Sequence, residues 1–234
     1  MSRLIVHQIP SGWGLPSIGP FSLKLEAWLR IVGIPYEAVI DATPFKGPKR
    51  KLPWIEHEGR KIGDSGFIIE HLAHHYGRDA NAGLTTEQRA IALALRRLLE
   101  DDLYWTLVYD RWLVESNWPI TRAAVLGQIA PPLRLVIAPV ARRGVRRQLD
   151  AQGMGRHTRD EIHAIGVRDV GAVADYLAGK PFLMGDRASE IDAVAYGILA
   201  NIVRVPVESP IKDAALKRQN LVEYLDRFRD RYFA

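Results

Sequence analysis

Leu4, Ile5 and Val6 form a short apolar run, and Pro10, Ser11 and Gly12 close it, which reads as a buried strand followed by a loop. The period then changes. Phe21, Leu25, Trp28, Leu29 and Val32 recur at helical spacing, and Gly33 with Pro35 supplies the stop, so a first helix is predicted from Ser22 to Gly33. Residues 36–40 read as a second strand. Residues 54–57 and 60–62 flank Glu58-Gly59, the pattern of a hairpin with a two-residue turn. Ser65 is placed as the cap of a helix carrying Phe67, Ile68, Leu72 and Tyr76 and ending at Gly77.

Beyond Gly83 strand signals almost vanish. Thr85 with Gln88 forms a capping box for a long helix reaching about Glu115, and Thr158 with Glu161 opens another to about Leu177. Ser189 with Asp192 starts an apolar segment, 191–203, that reads as a buried helix, and Leu221, Leu225, Phe228 and Tyr232 define an amphipathic last one. The pattern predicts a small α/β domain over residues 1–79 and an all-helical domain over 85–234. No internal repeat is present.

At 234 residues, 47% hydrophobic and 25% charged, the chain has the composition of an ordinary globular protein. The absence of cysteine removes disulfides, thiolate metal sites and any mechanism through a protein thiol. Apolar runs fall short of a membrane span, and the first ten residues lack the pattern of a secretion signal, so a cytoplasmic protein without membrane attachment is expected. The net charge of +5 is concentrated: between Ser116 and Leu149 there are six arginines and no carboxylate. Aromatics are not interleaved around Arg142 to Arg147, so this run reads as a solvated face rather than a nucleic-acid surface.

Two local features carry chemistry. Pro53 opens an otherwise central-looking strand; it either simply enters that strand or forms a cis bond that leaves the Leu52 amide and carbonyl for an extended, peptide-like ligand. In Gly63-Asp64-Ser65-Gly66, Ser65 can serve as a cap alone, or the helix start can take a carboxylate while Asp64 takes an ammonium. An α-amino acid head group has both charges. His71, His74 and His75 have metal-compatible spacing but fall on the polar side of their helix, so solvated imidazoles are expected and no metal. Trp105, Tyr109 and Trp112 share one helical face near Arg111 and could line an apolar pocket or pack in a core.

Together, Leu52-Pro53, Asp64-Ser65 and the Ser189 to Asp192 box after Phe182 to Asp186 resemble the glutathione transferases, and the likeness extends over nearly the whole chain. Gly19 to Glu26 and Gly153 to Thr158 are similar to the branch holding the failed-axon-connections and metaxin-related proteins. The resemblance implies a thioredoxin-like N-terminal domain that holds glutathione, an all-α C-terminal domain that shapes a second-substrate pocket, and a homodimer. It also implies roles: Leu52 and Pro53 for the tripeptide backbone, Asp64 and Ser65 for the γ-glutamyl head, Lys51 or Lys46 for the glycyl carboxylate. A small hydrophobic electrophile would lie against Trp13, Trp105, Tyr109 and Trp112. Family members of this form place a serine or cysteine before Pro-Phe at the first helix, where this chain has Gly19. Ser17 is then the first candidate for a hydroxyl on the glutathione thiolate, Ser22 the second, and Ser11 or Trp13 the third. The rival expectation is a noncatalytic binding or scaffold protein.

Overall fold

The computed structural model describes residues 3–41 and 46–234. Strand β1 (Ile5–Gln8) leads through a loop to helix α1 (Pro20–Val32) and strand β2 (Glu37–Ile40), which pairs with β1 in parallel. Strands β3 (Trp54–His57) and β4 (Arg60–Gly63) then form the hairpin, with Glu58 and Gly59 at φ 51° and 73°, the left-handed pair that a tight two-residue turn requires. The sheet order is β2-β1-β3-β4, with β1–β3 and β3–β4 antiparallel, followed by helix α2 (Ser65–Tyr76). This is the thioredoxin-like arrangement. Val6 and Ile55 on the sheet, Leu23 and Leu29 of α1, and Ile68 and Leu72 of α2 are fully enclosed in one apolar core.

The stretch after Thr85 is helical, as its capping box predicts, but not uniformly wound. Helix α3 (Thr86–Arg97) widens into a π-helical segment, Leu98–Leu103, before α4 (Tyr104–Trp112) resumes normal pitch. Helices α5 (Trp118–Leu126), α6 (Pro131–Gln152), α7 (Arg159–Leu177), α8 (Glu190–Val203), α9 (Pro210–Leu216) and α10 (Gln219–Tyr232) complete an all-helical half. No helix among the described residues is long and apolar enough to cross a membrane. One part of the basic run departs from a solvated face: Arg142 donates to the Trp112 and Leu113 carbonyls and pairs with Glu115 at 2.7 Å, so it closes the C-terminal end of α4. Arg143, Arg146 and Arg147 are exposed.

Helix α8 crosses α1 at very close range. A Cβ on Gly197 would stand 2.6 Å from the Pro20 carbonyl oxygen and 2.9 Å from the Lys24 nitrogen, so only glycine permits this approach. The start of α1 is thereby seated on the helical half. Arg111 adds a second tie, donating to the Ile18 carbonyl at 2.8 Å and to both Asn201 oxygens at 2.6 and 2.7 Å, with its own pKa drawn down to about 10 by burial.

Asp169 of α7 is buried, and one of its oxygens has no hydrogen-bond partner among the described residues. Burial and the nearby Asp102 carboxylate push its pKa up to about 7, against the pull of Arg168. The folded pKa lies above the unfolded one, so the folded state holds the proton more tightly and stability falls as pH rises from about 4 to about 7. Asp169→Asn should remove this slope. We expect the variant to gain about 1–2 kcal/mol over the parent at pH 8 and almost nothing at pH 4, by urea unfolding at both values.

Candidate functional site

A cleft of about 630 Å³ opens where the two halves meet. Its first wall is the entry to β3, with Lys49, Lys51, Leu52 and Pro53; its second is the start of α2, with Asp64, Ser65 and Gly66. The Leu52-Pro53 bond is cis. Five residues singled out in the sequence, Lys51, Leu52, Pro53, Asp64 and Ser65, therefore face one space, while Lys46 turns instead to Asp41, 3.8 Å away.

The roles of Asp64 and Ser65 at the helix differ from the expectation. Asp64, not Ser65, caps α2: its Oδ1 accepts from the Gly66 amide at 2.9 Å and the Phe67 amide at 3.4 Å, and Ser65 is the first helical residue. The physical reason is the backbone. Asp64 sits at φ 82°, ψ 119°, a strained conformation that turns the chain out of β4 and aims its carboxylate back at the amides. The Ser65 hydroxyl is consequently spared that task and makes no hydrogen bond to another described residue.

The third wall comes from the helical half. Arg96 of α3 donates to Glu100 at 2.9 Å and to Glu190 of α8 at 3.1 Å, and Glu100 also holds Lys24 of α1 at 2.6 Å. A Cβ on Gly66 would lie 2.4 Å from an Arg96 nitrogen, so the guanidinium closes directly over the start of α2. Burial works against the Arg96 charge, but Glu100, Glu190 and Asp64 together hold its pKa above the ordinary value. Lys24 shows the opposite balance. Its burial outweighs the attraction of Glu100, and its pKa is lowered.

At the start of α1 the candidate hydroxyls turn inward. Ser17 is fully buried, donates to the Ile9 carbonyl at 2.9 Å and accepts from the Gly19 amide at 3.2 Å. Ser22 is equally enclosed and accepts from the Ile9 amide at 3.4 Å. Neither lines the cleft; both fasten the β1–α1 loop to the helix. Gly19 has an ordinary backbone, φ −96°, so its lack of a side chain has a steric cause: a Cβ there would meet Ile9 atoms at 2.7 and 3.0 Å. The side chain of Ile9 fills the place where a serine or cysteine would project.

Residues 20–117 match the model of a glutathione S-transferase N-terminal domain and residues 166–228 that of a glutathione S-transferase C-terminal domain. The isoprene-epoxide--glutathione S-transferase of Rhodococcus sp. strain AD45 is 32% identical over 98% of this chain and 99% of its own length. The chain belongs to the glutathione S-transferase family. Within that family it is similar also to Failed axon connections of Drosophila melanogaster, 32% identical over 94% of this chain, which spans only 55% of that relative. A glutathione S-transferase of Ceriporiopsis subvermispora, solved in complex with glutathione, shares the fold at a TM-score of 0.66 with 19% identity, covering 98% of this chain and 97% of its own.

The aromatic residues expected to line a second-substrate pocket sit in the β1–α1 loop, for Trp13, and on α4, for Trp105, Tyr109 and Trp112. Trp13 lies against Arg111, 5.3 Å from its guanidinium; Tyr109 packs toward His163; and Trp112 stands 5.4 Å from Trp118. These three and Trp105 are half-buried against the core, and none of the four lines the cleft. The aromatic path from the cleft runs instead through Phe21, which is in its wall, to Tyr104 at 4.7 Å and on to Trp105 at 5.4 Å. Arg96 and Glu100 left no sequence signal beyond a charged helix end. Lys24 did leave one, because it interrupts the Phe21–Lys24–Trp28 row of an otherwise apolar helix face.

Proposed function

We propose that this family member binds glutathione in the cleft and joins its sulfur to a small hydrophobic electrophile, of which an epoxide is the best example. The observation that carries the reading is the convergence of Lys51, Leu52, Pro53, Asp64 and Ser65 on one cleft. Asp64 and the free Ser65 hydroxyl receive the amino-acid head, the Leu52 backbone pairs with the tripeptide main chain, and Lys49 or Lys51 meets the far carboxylate. This places the sulfur toward the start of α1.

There the thiolate is stabilised by the positive helix end and by the free amides of Phe21 and Ser22, since Pro20 has no N–H to give. Each unit of thiol pKa depression is about 1.4 kcal/mol. The reaction is a displacement: sulfur forms a bond to an epoxide carbon, the carbon–oxygen bond breaks, and the released alkoxide takes a proton from water. The name of the Rhodococcus relative supports the epoxide class, and the Phe21–Tyr104–Trp105 path supports an apolar partner.

Gly19, with Ile9 in the place of a side chain, favours a second reading, in which the cleft binds glutathione but does not turn it over. Calorimetric titration with reduced glutathione beside a conjugation assay on a simple epoxide separates the two. We expect binding and turnover from the parent, and at least a tenfold weaker Kd in Ser65→Ala. Binding without product would establish the second reading. Failure to bind at millimolar glutathione would reject both.

A further inference from the structure

The far end of the small domain assembles a set of side chains that the glutathione cleft does not use. His57 closes β3, Glu58 follows it in the hairpin turn, and His71 and His75 stand one turn apart on α2. Ligand atoms of His57, Glu58 and His75 all lie within 4.8 Å of one another. His75 Nε2 is 3.6 Å from Glu58 Oε1, and His57 Nδ1 is 3.1 Å from His71 Nε2. Two ligand atoms bound to one tetrahedral zinc ion at about 2.0–2.2 Å are separated by about 3.4 Å, so the 3.6 Å between His75 Nε2 and Glu58 Oε1 is close to the spacing of neighbouring ligands.

We propose that His57, Glu58 and His75 bind a divalent transition-metal ion of the zinc class, with His71 as the nearest group for a fourth position. The sequence presented a different trio, His71, His74 and His75, as a solvated row. Tertiary structure exchanges His74 for the buried His57, which arrives from a strand. Outer support is present too: Tyr76 Oη lies 2.9 Å from His57 Nε2 and holds that ring with Nδ1 turned towards His71. Three imidazoles and a carboxylate suit zinc, nickel or copper better than magnesium or calcium. His75 lies ten residues along α2 from Ser65, about 15 Å at 1.5 Å per residue, so the ion would staple the hairpin turn to the end of α2 away from the Asp64 and Ser65 end of the cleft.

The test is a zinc titration of the tag-free, chelator-treated protein against a competing zinc indicator, with thermal unfolding in parallel. The expected result is one equivalent bound with a Kd in the micromolar range or tighter, and a midpoint raised by about 5 °C at a hundredfold excess. His75→Ala, at an exposed position outside the core, should weaken binding at least tenfold and abolish the thermal shift. Glu58→Gln should weaken binding severalfold, and His74→Ala, on the same helix but outside the cluster, should leave it within twofold. Zinc binding weaker than 100 μM in the parent, or a His75→Ala variant that binds as the parent does, would overturn the proposal.

Discussion

Asp192→Ala should lower the unfolding free energy by about 3–5 kcal/mol, the largest effect expected from any single change described. The carboxylate is completely enclosed in the first turn of α8 and accepts from the Leu183 amide at 2.8 Å, the Ser189 amide at 2.8 Å and the Ser189 hydroxyl at 2.9 Å, with the Tyr224 hydroxyl at 3.2 Å. Burial pushes its pKa up in spite of these donors, which shows how much of its solvation the protein has had to replace. Alanine removes the acceptor and strands two buried amides. The damage should spread, because α8 is the helix on which α1, and with it one wall of the cleft, is seated. Urea unfolding monitored by tryptophan fluorescence gives the number; Asp192→Asn, which keeps one acceptor oxygen, should lose about half as much. A loss below 1 kcal/mol in the alanine variant would mean that the network contributes far less than its geometry implies.

Glu100→Ala should destabilise the protein by about 3 kcal/mol or more, and the reason lies in what it leaves behind. Lys24 is 1% exposed and depends on Glu100 at 2.6 Å for compensation of its charge. Without that carboxylate the lysine must shed its proton or draw in water, and its pKa, already lowered by burial, falls further. Arg96 keeps Glu190 as a partner and is the less affected cation. The paired replacement Lys24→Met with Glu100→Leu removes both charges together and should return to within about 1 kcal/mol of the parent. Chemical unfolding of Lys24→Met, Glu100→Leu and the double variant closes the cycle. If the double variant is as unstable as Glu100→Ala, the stranded lysine is not the cause.

Much of the fold was legible along the chain because its signals are local. The Glu58-Gly59 turn, the capping boxes at Thr85, Thr158 and Ser189, and the glycine stops at Gly33 and Gly77 each depend on residues within four positions of one another. The cleft's first two walls were legible for a similar reason: Lys51 to Pro53 and Asp64 to Ser65 flank a single hairpin. The assignment of Ser65 as a cap missed by one residue, since nothing in the sequence announces that Asp64 adopts a positive φ. The hydroxyls of Ser17 and Ser22 were the right chemical type, yet their direction is set by the Ile9 backbone, more than seven residues away.

By itself the sequence determined the strands and helices up to Gly77, the helices opened by the capping boxes at Thr85, Thr158 and Ser189, the division into an α/β half and a helical half, and the family to which the chain belongs, because repeating patterns and short motifs encode these without reference to distant partners. Only the tertiary structure decided which charges close the cleft, why position 19 carries no side chain, and which histidines meet. Arg96 above Gly66, Lys24 against Glu100, Ile9 against Gly19 and His57 between His71 and Tyr76 are all contacts between elements. Burial and proximity act through space, and a residue's neighbours in space are fixed by the packing of whole helices and strands rather than by its place in the chain.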